Sequence, residues 1–356
     1  MRVLVAMSGG VDSSVAAALL VEAGEEVVGA TMKLWGGPSD TGCCSVADVE
    51  DARRVAQQLG IAHHVFNFSE EFSSRVVDPY VADHASGRTP NPCVECNRHL
   101  KFDRFMDRAV RLGFDAIATG HHARVWRRPD GTWALRRGVD RAKDQSYVLH
   151  MLDQGQLGHT VLPIGGLTKA EVRERAAAIG LRTAAKPDSQ DVCFISRSGG
   201  RSAFLGARIP LRPARVLDRA GAVLGELPAV ELVTLGQRRG LGSLGLGSLG
   251  PDCGPDGRPD RRYVVGVDIE AATVTVGGVS DLMVSVLGVR EPGWVNGAPT
   301  AGEAVEVQMS AHGRPVPGRW SPAGQVLLGE PVRRVAPGQS VVLYRGDDVV
   351  GGGLAV

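Results

Sequence analysis

The sequence predicts an α/β protein: a doubly wound parallel sheet, then a small central domain and a C-terminal β-barrel. Three observations predict it. Short apolar runs alternate with helical stretches through the first half of the chain, at Val3–Met7, Glu26–Lys33, Ile61–Phe68 and Asp115–Thr119. Strands separated by helices favour a parallel sheet, with ligands at the C-terminal ends of its strands. From about residue 204 the helical period disappears, and short alternating segments separated by Gly, Pro and Asp take over. The expected boundaries are 1–203, 204–275 and 276–356.

The first element is Val3–Met7, a strand, followed by Ser8-Gly9-Gly10-Val11-Asp12-Ser13-Ser14 and an Ala/Leu helix. Glycines let a backbone approach a ligand closely, and the first N–H groups of a helix have no internal partner. They face a phosphate with the positive end of the helix dipole. Asp12 would repel a bare phosphate, which suggests a bridging Mg²⁺. No Lys-Ser/Thr pair follows the last Gly, so this is not a Walker A loop. The arrangement resembles the PP-loop of ATP pyrophosphatases.

The remaining elements follow in order. Val46 to Gly60 carries apolar residues at helical spacing. Pro129-Asp130-Gly131 marks a hairpin, and Thr168-Lys-Ala-Glu171 is a capping box opening a helix to Gly180. Leu241 to Gly257 is a low-complexity loop; its Gly245-x-Gly247-x-x-Gly250 lacks the strand and helix of a dinucleotide site. Beyond residue 276 the segments read as all-β, with turns at Glu291-Pro-Gly293 and Arg345-Gly-Asp347.

Composition excludes several classes. No apolar run approaches the ~18 residues of a membrane helix, and Gly9-Gly10 interrupts the apolar N-terminus too early for a signal peptide. Six cysteines without secretory context imply reduced thiols, and a cytoplasmic protein is expected. The net charge of +1 announces no polyanionic partner. Basic residues nevertheless cluster at 124–143 (Arg124, Arg127, Arg128, Arg136, Arg137, Arg141, Lys143) and in six arginines from Arg197 to Arg219. Such stripes suit a phosphate backbone, and equally an ordinary solvated face in an Arg-rich chain.

Asn91-Pro92-Cys93-Val-Glu-Cys96-Asn97 places two thiols just before a helix expected to start near Arg98. Thiols at a helix N-terminus ionise more readily and become better nucleophiles. A third, Cys193, stands in Lys186-Pro-Asp-Ser-Gln-Asp-Val-Cys193-Phe194. Structural zinc would need further ligands, and a thioredoxin-like pair would need a preceding strand. Cys43, Cys44 and Cys253 read as bystanders.

Taken together, Ser8–Ser14, Gly87-Arg-Thr-Pro-Asn-Pro92, Cys96-Asn97, Lys101-Phe102, Thr119-Gly-His121, Lys143-Asp-Gln-Ser146, Cys193-Phe194 and Leu235-Gly-Gln-Arg238 resemble tRNA-specific 2-thiouridylase along nearly the whole chain. The resemblance implies ATP-dependent replacement of the 2-oxygen of the wobble uridine by sulfur. It implies ATP held by Ala6, Met7, Ser8, Gly9, Gly10, Val11, Asp12, Ser13, Met32 and Gly120, with Mg²⁺. The target base would lie against Asn91, Pro92 and Cys93, and tRNA against His121, Lys143, Asp144, Gln145 and Gln339. Cys96 would be the nucleophile, Cys193 would carry a persulfide sulfur from a donor protein, and the two would form a transient disulfide. Many members have an Arg-Tyr pair where this chain has Ser310-Ala311, and Asp where it has Cys93. The extra thiol opens an alternative, a 4Fe-4S cluster on Cys93, Cys96 and Cys193. A PP-loop ligase or amidotransferase acting on a small molecule is the competing function; it would have no use for paired thiols or a barrel.

Overall fold

The computed structural model describes residues 1–35, 45–188, 192–195, 199–241 and 262–356. Cys43, Cys44, Arg197, Cys253 and the Gly245–Gly250 stretch lie outside them. β1 (Arg2–Ala6), α1 (Val11–Glu22), β2 (Glu26–Lys33), α2 (Val46–Gln58) and β3 (His63–Asn67) begin the chain. Next come α3 (Ser69–Phe72), a π-turn and α4 (Asp78–Ala85). A second helical run joins α5 (Pro92–Cys96) to α6 (Met106–Arg111) through a π-helical stretch. β4 (Ala116–Ala118), the hairpin β5 (Ala123–Arg127) and β6 (Trp133–Arg137), α7 (Gln154–Gly158), β7 (Thr160–Val161), α8 (Lys169–Ala178) and α9 (Gly200–Gly206) follow.

The first sheet is parallel, in the order β3-β2-β1-β4-β7. The alternation of β1 shows why it is covered on both faces. Val3 and Val5 pack with α1, α2 and α8, whereas Leu4 and Ala6 pack with Phe72, Leu100 and Phe105 of the other layer. Successive strand side chains point to opposite faces, so an uninterrupted apolar run must be buried on both. The chain runs β1-β2-β3 in one direction and then places β4 on the other side of β1. The crevice between β1 and β4 is thus the switch point where such sheets bind ligands.

A second sheet has the order β10-β11-β8-β9, from β8 (Ala214–Leu217), β9 (Val223–Leu227), β10 (Tyr263–Asp268) and β11 (Thr273–Gly277). The third comprises β12 (Met283–Trp294), β13 (Ala304–Gln308), β14 (Val316–Ser321), β15 (Gln325–Arg333), β16 (Ser340–Arg345) and β17 (Asp348–Ala355). Its order β12-β15-β14-β13-β16-β17 closes through β12–β17 pairing into a six-stranded antiparallel barrel. Closure removes the free edges that would otherwise invite foreign strands.

Two expectations need correction. The turn at Glu291-Pro-Gly293 lies inside β12, as a register shift with Glu291 at φ 51°. A bulge bends a strand without ending it, and its residues are those of a turn. The cysteine-bearing helix starts at Pro92, not near Arg98, because Asn91 caps it by accepting from the Cys93 N–H at 3.1 Å. Pro at the first helical position loses nothing, since that N–H has no partner anyway. The hairpin expected at Pro129-Asp130-Gly131 is present as β5–β6, and it extends the barrel sheet beside β17, where Arg136 pairs with Asp348.

Candidate active site

At the C-terminal end of β1 the chain turns on Gly9 and enters α1. Gly9 has φ +71°, and a Cβ there would stand 2.2 Å from the Asp48 carbonyl oxygen. Gly120, just beyond β4, would carry a Cβ 2.6 Å from the Ser13 nitrogen. Both glycines are therefore required by close approach, one against α2 and the other against the start of α1. Ser13 Oγ accepts from the Ser8 N–H at 3.2 Å and donates to the Gly10 carbonyl at 3.1 Å, locking the loop. Ala6, Met7, Val11 and Met32 are buried beneath it.

Four polar side chains absent from the sequence-based candidates organise this end: Lys169, His122, Lys186 and Asp188. Lys169, at the start of α8, places Nζ 2.7 Å from both Asp12 carboxylate oxygens and 2.9 Å from Asp188 Oδ1. His122 Nε2 lies 3.4 Å from Asp12 Oδ1. Burial opposes the Asp12 charge, yet the His122 and Lys169 hydrogen bonds outweigh it and hold the carboxyl below its ordinary range. Lys186 Nζ donates to the Gly9 carbonyl at 2.9 Å and to Asp48 and Asp51 at 2.7 Å each. Asp188 also accepts from Lys143 at 2.7 Å and Arg173 at 2.8 Å. Burial works against its charge as well, but Lys143 and Lys169 bring it down to about 2.

Composition offered a signal for these residues. The chain has only five lysines against thirty-five arginines, and Lys143, Lys169 and Lys186 converge here. A lysine ammonium is a compact point charge, which suits a crowded cluster of carboxylates. Asp12 was expected to need a metal because an acid beside phosphate donors is otherwise unfavourable. The structure supplies another neutraliser, Lys169. Among the described residues no three His, Cys, Asp or Glu side chains form a metal-binding group.

The other end of the site is apolar. Cys93 is exposed in the first turn of α5, Cys96 is buried one turn later, and Cys193 is half-buried. The helix-terminal charge fades within one turn, so it acts on Cys93 more than on Cys96. Cys193 packs against the same hydrophobic cluster that contains Cys96. Its neighbour Phe194 is 2% exposed, with ring centroids of Trp35, Phe72, Tyr80 and Phe204 between 5.1 and 6.3 Å away. This aromatic cage anchors the Cys193 segment. Its members lie far apart in sequence, and no local motif announces them.

The residues expected to face RNA are engaged within the chain. His121 is buried, with Nδ1 2.7 Å from Thr119 Oγ1 and its ring 5.9 Å from that of Phe102. Asp144 accepts from Arg137, the Gly138 N–H and Ser146. Gln145 accepts from the His122 N–H at 2.9 Å, and Gln339 donates to the Thr89 carbonyl at 2.7 Å. Much of the first arginine stripe is engaged in ion pairs within the chain, although Arg127 and Arg141 are exposed. Arg124 and Arg141 pair with Asp347, and Arg128 and Arg136 with Asp348, fastening the hairpin to the β16–β17 turn. Behind this seam lies a cavity of about 670 Å³ lined by Arg137, Arg141, Gln308, Ala311 and His312 among others. In the second stripe Arg212 pairs with buried Glu231 at 2.9 Å and Arg208 lies 3.9 Å over the Phe204 ring, while Arg215 is exposed.

A glycine-rich loop entering a helix at the switch point of a parallel sheet defines a nucleotide-binding α/β enzyme of the PP-loop type. The family described as "tRNA methyl transferase HUP domain" matches residues 1–197, and "Aminomethyltransferase beta-barrel domain" matches 284–355. The tRNA-specific 2-thiouridylase MnmA of Mycolicibacterium vanbaalenii is 50% identical over 99% of this chain and 98% of its own length. That of Mycobacterium marinum is 47% identical over 99% and 96%. The chain belongs to the tRNA-specific 2-thiouridylase family. A solved U34-tRNA thiolase from Methanococcus maripaludis aligns over 58% of this chain and 64% of its own at 16% identity and a TM-score of 0.37, too remote to carry an argument. No helix among the described residues is long and apolar enough to cross a membrane.

Proposed function

We propose that this protein thiolates the 2-position of the wobble uridine of tRNA using ATP. Near-complete coverage of relatives bearing that name, at half identity, carries the reading. ATP would lie on the β1–α1 loop along Ala6–Ser13, Met32 and Gly120. A uracil carbonyl oxygen leaves poorly; adenylation converts it to AMP with release of pyrophosphate. The terminal sulfur of a Cys193 persulfide then attacks C2 and AMP departs. Cys96 attacks the remaining Cys193 sulfur, giving the Cys96–Cys193 disulfide and leaving sulfur on C2. An external thiol reduces the disulfide, and a donor protein reloads Cys193. Burial of Cys96 in the cluster against which Cys193 packs supports this pairing.

Asn91, Pro92 and exposed Cys93 would meet the splayed base, as recognition of single-stranded RNA requires. Of the five residues assigned to tRNA, Lys143, Gln145 and Gln339 have solvent access, while His121 would act by shaping the loop from beneath. In this reading no step is routed through iron. Mass analysis of wobble uridine in a deletion strain tests the function. Restoration of 2-thiouridine by the wild-type gene is expected, and unaltered 2-thiouridine in the deletion strain overturns it.

A further inference from the structure

The one acid of the PP-loop poses a physical question: what does a carboxylate do among phosphate donors? Both oxygens of Asp12 are taken by Lys169 at 2.7 Å, and His122 approaches Oδ1 at 3.4 Å. An ammonium has three donors; here two go to Asp12 and the third meets Asp188 at 2.9 Å. Asp188 has alternative partners in Lys143 and Arg173. It can release Lys169 without losing its own neutralisation, whereas Asp12 has no other Lys or Arg within ion-pair distance among the described residues. The tie to Asp12 is therefore the firm one and the tie to Asp188 the exchangeable one. Lys169 sits at the first helical position of α8, with its N–H held by Asp140 at 3.0 Å, so its stem starts from a fixed point.

Resting on the ATP-dependent reading above, we propose that Asp12 is a positioning residue for Lys169 rather than a magnesium ligand. Lys169 contacts the ATP polyphosphate at the start of α1. The phosphate takes the donor that Asp188 holds when ATP is absent, and Asp12 keeps the other two. Mg²⁺ arriving with ATP stays with the phosphates and water, as its reluctance to dehydrate favours.

A double-mutant cycle with full-length enzyme tests this, reading pyrophosphate release with tRNA transcript and ATP binding by calorimetry without tRNA. Asp12→Asn and Lys169→Met should each lower kcat/KM at least about 30-fold, with the double variant no worse than the poorer single one, because coupled groups are non-additive. The Mg²⁺ concentration for half-maximal rate should be unchanged in Asp12→Asn. Lys169→Arg should recover part of the ATP affinity lost in Lys169→Met. Additive losses, a raised Mg²⁺ requirement in Asp12→Asn, or unaltered ATP affinity in Lys169→Met would each overturn the proposal. The double variant leaves no lone charge buried, so it keeps the test valid if one single variant unfolds. If tRNA is not the substrate, wild-type pyrophosphate release fails while the calorimetric arm still reports on Lys169.

Discussion

The two ends of the site are built from opposite materials. The phosphate end is a lattice of fixed charges, with Asp12, Asp48, Asp51 and Asp188 interleaved with Lys143, Lys169 and Lys186. The sulfur end is a cage of aromatic rings around Phe194, with Cys96 in the same cluster and Cys193 at its edge. The difference matches the tasks proposed for them. A polyphosphate needs oriented charge in place before it arrives, since preorganised dipoles need no reorganisation during reaction. A sulfur carrier needs shelter from water and a defined position, which apolar packing supplies.

The sharpest way to separate the two ends is through the thiols. Cys96→Ser and Cys193→Ser should abolish thiolation while ATP affinity stays at the wild-type level. Cys93→Ala should retain substantial thiolation, because the proposed sulfur relay does not use Cys93. Near-complete loss there, together with stoichiometric iron after anaerobic purification that vanishes in the variant, would favour the cluster reading instead.

Phe194→Ala attacks the cage rather than the chemistry. Truncating a buried Phe costs about 3–5 kcal/mol where the surroundings cannot collapse. Chemical denaturation should show that loss, and thiolation should fall while ATP still binds. If ATP affinity falls in parallel, the two ends are not separable.

Gly120→Ala makes the converse attack on the phosphate end. Its Cβ would overlap the start of α1, and overpacking costs about 1–3 kcal/mol. ATP affinity should drop, with the Cys96–Cys193 disulfide still forming under mild oxidation, as thiol alkylation and peptide mass mapping would show.

Acid provides a graded test of the charge lattice. Asp188 is depressed to about 2, so its contribution is complete above its unfolded value of about 4 and is lost as pH falls towards 2. The difference in melting temperature between wild type and Asp188→Asn should shrink over that window and be constant above it. A difference that grows instead would contradict the ion-pair geometry.

The smallest effects should come from the second arginine stripe. Arg212→Glu should cost about 1–3 kcal/mol, because it strips a partner from buried Glu231. Arg215→Glu should stay within about 0.5 kcal/mol of wild type in stability. If Arg215 meets a phosphate, the salt dependence of tRNA binding should lose about one unit of slope. Unchanged tRNA affinity in Arg215→Glu would make that arginine a solvated side chain only.

By itself the sequence determined what short-range chemistry can determine. Val3–Met7 had to be a buried strand, Gly9 had to turn, and Thr168 and Glu171 had to cap a helix. Each statement concerns residues within a few positions of one another, where sterics and local hydrogen bonds act. The tertiary structure alone decided that Lys169 answers Asp12, that Lys186 closes on Asp48 and Asp51, and that four rings gather around Phe194. It also turned the first arginine stripe into a seam with Asp347 and Asp348 and put the β5–β6 hairpin on the barrel. Charge and apolar area attract without regard to chain separation, so the partner of an ion or a ring is chosen by the packed fold.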